Sequence, residues 1–176
     1  QLRETIYQCA PYIGFPKTLN AIDIANGVFE ANGISLPLEN AGTVDATDPS
    51  AREQAGAAIQ APLYGNEVKE VFSALPKPFD EFVPHLLTSS AFGDFATRGG
   101  LDVAQRELIS LVAIAAIGAT TQLRPHVAGA IRAGSSRQKV AAALVQVMPY
   151  IGGPYALSGL VLVARYDESA SAEAYR

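Results

Sequence analysis

The chain has 176 residues, 49% of them hydrophobic and 17% charged, with a formal net charge of −4. That composition fills a sizeable core in one ordinary domain or two merged small ones, and it is not the composition of a disordered segment. The acidic balance and the absence of any basic block argue against nucleic acid as a partner, no apolar run reaches the length of a membrane span, and the single cysteine, Cys9, rules out an intramolecular disulfide or a two-thiol redox centre within one chain. Cys9 itself reads as a small buried residue.

Almost every segment carries helical spacing. Residues 1–10 read as a helix that stops near Pro11, and a second helix fits Pro16 to about Glu30, with Leu19, Ile22, Ile24, Ala25 and Phe29 on a broad apolar face. Residues 32–49 mix Gly, Asn, Pro, Asp and Thr and read as a loop. Asp48 followed by Pro49 is a helix start, and a helix over about 50–60 follows. LPKP (75–78) breaks the chain, and one helix is expected over 79–97, with His85 in a packing or capping role. Asp102 caps a helix beginning near Val103 and running to about Ile117, where Gly118 closes it. Thr120 or Thr121 caps the next, through Ala133; Ser135 or Ser136 opens another through about Val147; and a last helix runs from about Pro154 to Arg165. The tail after that is polar. No strand pattern competes, so the expected fold class is all-α.

One phrase occurs twice. QCAPYIGFP (8–16) and QVMPYIGGP (146–154) share six of nine residues at an offset of 138. In each, proline is expected to stop one helix, glycine to turn the chain and the second proline to start the next helix. Tyr12 and Tyr150 read as residues that anchor this turn.

The stretch FGDFATRGGLDVAQRELISLVAIAAIGATTQLRPHVAGAIRAGSSRQKVAAALVQVMPYIGGP (92–154), with REQAG (52–56) and LYG (63–65) before it, resembles the carboxymuconolactone decarboxylase family, which includes the alkylhydroperoxidase D-like proteins. The resemblance implies an internally duplicated helical bundle. It places the closing helices of an incomplete first repeat at 1–31, a loop and connecting helix at 32–66, a complete second unit at 67–166 and the polar tail at 167–176. The counterparts of Glu107 and His126 in the first repeat would fall before residue 1. The expectation is therefore that a natural two-unit chain extends upstream of Gln1, leaving the first observed helix to pack against a neighbouring molecule.

In the peroxidase-like branch of that family, a Glu lies nineteen positions before a His, with thiols seven and four positions before it. Glu107 and His126 fit that frame, but Ala119 and Gln122 hold the thiol positions. Thiol exchange needs an attacking and a resolving sulfur, so thiol peroxidase chemistry is set aside. The lactone decarboxylase branch, which also lacks the thiols, is the better likeness. It implies a cofactor-free lyase acting on a small carboxylated lactone such as 4-carboxymuconolactone, in aromatic-compound catabolism. His126 is then the proton or hydrogen-bond donor, Glu107 orients it, and Arg124 or Arg98 binds the substrate carboxylate. The plainer readings are a surface carboxylate or a partner of Arg106 or Arg132 for Glu107, an interhelical hydrogen bond for His126, and solvated or ion-paired side chains for the arginines. The rival to an enzyme is a diverged, non-enzymatic helical oligomer, since Gln138 and Lys139 stand where family members tend to carry Glu. Two histidines without clustered Cys or acidic partners make no metal case. The expected partners are a small-molecule substrate and other copies of the chain, as a trimer or hexamer; no signal peptide is visible, and the expected location is cytoplasmic.

Overall fold

A computed structural model describes residues 1–167; the polar tail expected at 167–176 lies, beyond Asp167, outside the described residues. The described chain is all-helical: α1 (Leu2–Ile13), α2 (Phe15–Ala31), α3 (Pro49–Tyr64), α4 (Glu67–Phe72), α5 (Phe79–Leu86), a π-helical segment (Leu87–Ala96), α6 (Val103–Ala116), α7 (Thr120–Arg132), α8 (Arg137–Ile151) and α9 (Gly153–Ala164). No described helix is long and apolar enough to cross a membrane.

Side-chain caps set the starts of α3, α6 and α8. The Asp48 side chain accepts from the amides of Ser50 and Ala51, with Pro49 in the first helical position. Asp102 and Gln105 form a reciprocal capping box on α6, each side chain accepting from the other's backbone N–H. Ser136 accepts from Lys139 N at 3.1 Å to open α8. Neither Thr120 nor Thr121 caps α7: the cap position is Ala119, with no side-chain bond.

The ends differ from expectation in one consistent way. Pro11 and Pro149, expected to stop their helices, lie inside them, as does Pro62, each three residues before a glycine. The glycines end the helices, with φ of 81° at Gly14, 55° at Gly65 and 86° at Gly152, a region that L side chains avoid. Each proline lies in a last turn and leaves the carbonyl four residues back without its helical amide partner. Gly14 and Gly152 also agree in ψ, at 158° and 152°, so the repeated phrase makes the same turn twice.

The helix expected over 79–97 is α5 followed by wider π turns. Hydroxyls of Ser89 and Thr97 donate to the carbonyls four residues back, of His85 and Gly93, and Thr88 Oγ1 lies between Gln60 Oε1 at 2.6 Å and Pro84 O at 3.0 Å. The carbonyl an α-helical amide would use is thereby engaged, and Thr97 N bonds Phe92 O, five residues back. This segment lies backbone to backbone on α3. A β-carbon on Gly56 would fall 2.2 Å from Thr88 O, and one on Gly93 2.3 Å from Arg52 O. Gly56→Ala therefore forces the two helices apart, and a loss of about 3 kcal/mol is expected in urea unfolding, at the upper end of ordinary overpacking.

Helix α6 is the centre. Its Leu111, Ile114 and Ala115 meet Leu123, Val127 and Ala130 of α7, Val140 and Leu144 of α8 and Val163 of α9. Helix α1, expected to need a neighbouring molecule, packs on α6 of its own chain. Arg106 Nη1 donates to Gln8 Oε1 at 2.9 Å, and Gln8 Nε2 to Ser110 Oγ at 3.1 Å, all in the interior. Helix α2 packs on α1 and leaves Phe15, Leu19, Ile24 and Val28 exposed.

Candidate functional site

Glu107 lies in the second turn of α6 and His126 midway along α7, and the short turn at Gly118 folds these two helices against each other. Their nineteen-residue separation becomes a contact: Glu107 Oε2 is 3.5 Å from His126 Nδ1. Glu107 is buried, and the imidazole keeps 13% exposure. Glu107 is thus no surface carboxylate.

The group between them is Tyr64, the last residue of α3. Its hydroxyl donates to Glu107 Oε2 and stands 2.9 Å from His126 Nδ1. Sequence reasoning did not assign Tyr64 to the site. It lies 43 residues before Glu107, and no spacing rule links the end of one helix to the middle of two others. The only hint was its place in the LYG element.

Several neighbours fix this arrangement. Arg132 Nη1 holds Leu63 O at 2.7 Å, tying the end of α3 to α7 beside Tyr64. Phe92 from the π-helical segment meets the Tyr64 ring edge-on at 5.8 Å. Gly129, one turn after His126, makes the room: a β-carbon there would lie 2.5 Å from the Tyr64 hydroxyl and 2.8 Å from Glu107 Oε2.

Tyr12 also belongs here, contrary to its reading as a turn anchor. Its ring packs edge-on to the His126 imidazole, with centroids 5.5 Å apart at 87°. Burial, and then the nearby Glu107 carboxylate, push its phenol well above the usual range, against a smaller opposing effect of its hydrogen bond with Ser110. Its repeat counterpart Tyr150 is 83% exposed. The two copies share a turn but not an environment.

The two arginines fare differently. Arg98 makes a bidentate pair with Glu4, at 2.8 and 3.0 Å, and its guanidinium covers the Tyr7 ring at 4.9 Å. Burial raises the Glu4 pKa, but Arg98 and Arg3 outweigh it and hold the carboxyl below its ordinary value. Glu4 precedes Tyr12 by eight residues, about 12 Å along α1 at 1.5 Å per residue. Arg98 is therefore engaged away from His126, which corrects its expected role as a substrate ligand. Arg124 is exposed on α7, two residues before His126, with no hydrogen bond or ion pair among the described residues.

His85 is exposed and faces Glu53 at 3.1 Å, so its role is neither packing nor capping. Cys9 is half-buried and lines an apolar groove of about 480 Å³ with Thr5, Ile13, Leu108, Val112 and Val147. Burial pushes its thiol pKa up, which is the wrong direction for a nucleophile. None of Tyr64, Glu107 and His126 lines that groove. Among the described residues, no three His, Cys, Asp or Glu side chains gather where they could hold a metal ion.

A carboxylate, a phenol and an imidazole in mutual contact are an acid–base assembly: the ring can pass a proton, and the other two groups set its orientation. Residues 83–165, which contain Glu107 and His126 but not Tyr64, match the family model described as Carboxymuconolactone decarboxylase family. No curated protein matches the chain.

Proposed function

The chain belongs to the carboxymuconolactone decarboxylase family through residues 83–165, and on that premise we propose that it is a cofactor-free lyase acting on a small carboxylated lactone such as 4-carboxymuconolactone. The single observation behind this reading is the mutual contact of Glu107, Tyr64 and His126, with no thiol at positions 119 and 122. The carbon–carboxylate bond breaks and releases CO₂. Its electron pair passes into the conjugated lactone as an oxyfuran-like anion, and His126 delivers a proton to carbon. The imidazole then regains a proton from water. Glu107, through Tyr64, balances the charge of the protonated ring. Arg124 is the arginine we assign to the substrate carboxylate; its long side chain must reach round α7, because residues two apart do not share a helix face.

A second reading keeps the scaffold without the chemistry. It is favoured by the capture of Arg98 by Glu4, which leaves the site one cation poorer than expected. On either reading the apolar residues exposed on α2 are suited to contact another copy, within a trimer or hexamer.

The test is to incubate the protein with 4-carboxymuconolactone and follow CO₂ release together with loss of the lactone. Matched, enzyme-dependent rates are expected. No release above the uncatalysed rate contradicts the lyase reading and leaves the scaffold reading.

A further inference from the structure

We infer that Tyr64 locks neutral His126 in the tautomer that carries its proton on Nδ1, so that Nε2 is the nitrogen that exchanges protons with whatever occupies the site. Three polar atoms meet in a triangle: Tyr64 Oη bonds Glu107 Oε2 and stands 2.9 Å from His126 Nδ1, and Nδ1 is 3.5 Å from Glu107 Oε2. A phenol has one proton to donate, and an ionised carboxylate can only accept. The Tyr64 proton therefore goes to Glu107. Nδ1, 2.9 Å from the same oxygen, must then be the donor of the second bond; otherwise two lone pairs would face each other. A neutral imidazole carries one proton, which leaves Nε2 bare.

The surroundings keep this order. Tyr12 packs its ring edge-on against the imidazole. Arg132 is tied to Leu63 O, the carbonyl just before Tyr64. Nε2 makes no hydrogen bond within the described chain, and the ring keeps 13% exposure, so this nitrogen is the one a ligand or water meets.

The inference rests on the site of the proposed function but not on its substrate. It sharpens that chemistry. At rest Nε2 is a base with nothing to donate. Protonating carbon needs the imidazolium, whose charge is faced by Glu107 from α6, by Tyr64 from α3 and by the Tyr12 ring from α1. A substrate needing proton delivery is therefore turned over by the protonated form, and the rate falls as the ring loses that proton. One needing proton removal shows the opposite limb.

The test is a long-range ¹H–¹⁵N correlation spectrum of the full chain, uniformly ¹⁵N-labelled, above the His126 titration. The signals are assigned by their loss in His126→Gln, which separates them from those of His85. Expected are a protonated, pyrrole-type Nδ1 and a bare, pyridine-type Nε2; the reverse pattern overturns the proposal. In Glu107→Leu the Tyr64 hydroxyl loses its acceptor and turns to Nδ1, so the pattern should switch to Nε2–H. A folded variant that keeps Nδ1–H overturns the lock. The wild-type spectrum decides the matter even if that variant does not fold. Absence of lactone turnover leaves the tautomer result untouched, so the two failures are distinguishable.

Discussion

His126→Ala should lower lactone turnover about 10²- to 10⁴-fold, the usual worth of a positioned acid or base. The loss should fall on kcat, because the proton moves after the substrate is bound. The fold should survive. The imidazole is on the edge of the core with 13% exposure, and its removal leaves Tyr64 still donating to Glu107. What is lost is one hydrogen bond and edge-on contacts with the Tyr12 and Tyr64 rings, about 1–3 kcal/mol together. Turnover is read alongside far-UV circular dichroism. A folded variant with unchanged kcat contradicts the assignment of His126.

Arg106→Met should be the most damaging change to stability, by about 3–5 kcal/mol, the cost of removing one member of a buried charged network. At 1% exposure, Arg106 has no water to fall back on. It donates to Gln8 Oε1 at 2.9 Å, to Arg98 O and to Gly99 O at 3.2 Å, and it lies 3.9 Å from Glu4 Oε2. Methionine fills much of the volume but leaves those acceptors buried and unpaired. Glu4 keeps Arg98, which limits the damage. For a chain of this length the thermal midpoint should drop by roughly 6–20 °C. A change below about 1 kcal/mol in urea would show that the network contributes little. The effect also reaches the site, because this network joins α1 to α6, and α1 carries Tyr12 to His126.

How much of this could be read from the residues follows from the range of each interaction. The Asp48, Asp102 and Ser136 caps were legible, since each is settled within three or four residues. The helix ends were misread because proline was credited with stopping a helix that glycine three residues later ends. The π-helical turns were hidden because they depend on where Thr88, Ser89 and Thr97 send their hydroxyl protons. Glu107 and His126 were legible as candidates through the nineteen-residue family frame, but that they meet depends on how α6 and α7 pack, which the sequence does not show. Tyr64 was not legible, because α3 reaches them only through tertiary packing, across two breaks and the π-helical segment. Tyr12 and Tyr150 looked alike in the repeated phrase, yet only burial against α6 and α7 makes one of them part of the site. Arg98 was taken for a substrate ligand for the same reason: its partner Glu4 is 94 residues away in the chain.

The central claim is that Glu107 and Tyr64 act through His126 as one cluster of proton-holding groups. A double-mutant cycle on lactone turnover tests it most directly, using Tyr64→Phe, Glu107→Gln and the two together. Groups that act as a unit should be strongly non-additive, with the double variant no slower than the worse single one. A double variant slowed by the product of the two single losses would mean that the groups act independently, and would contradict the account.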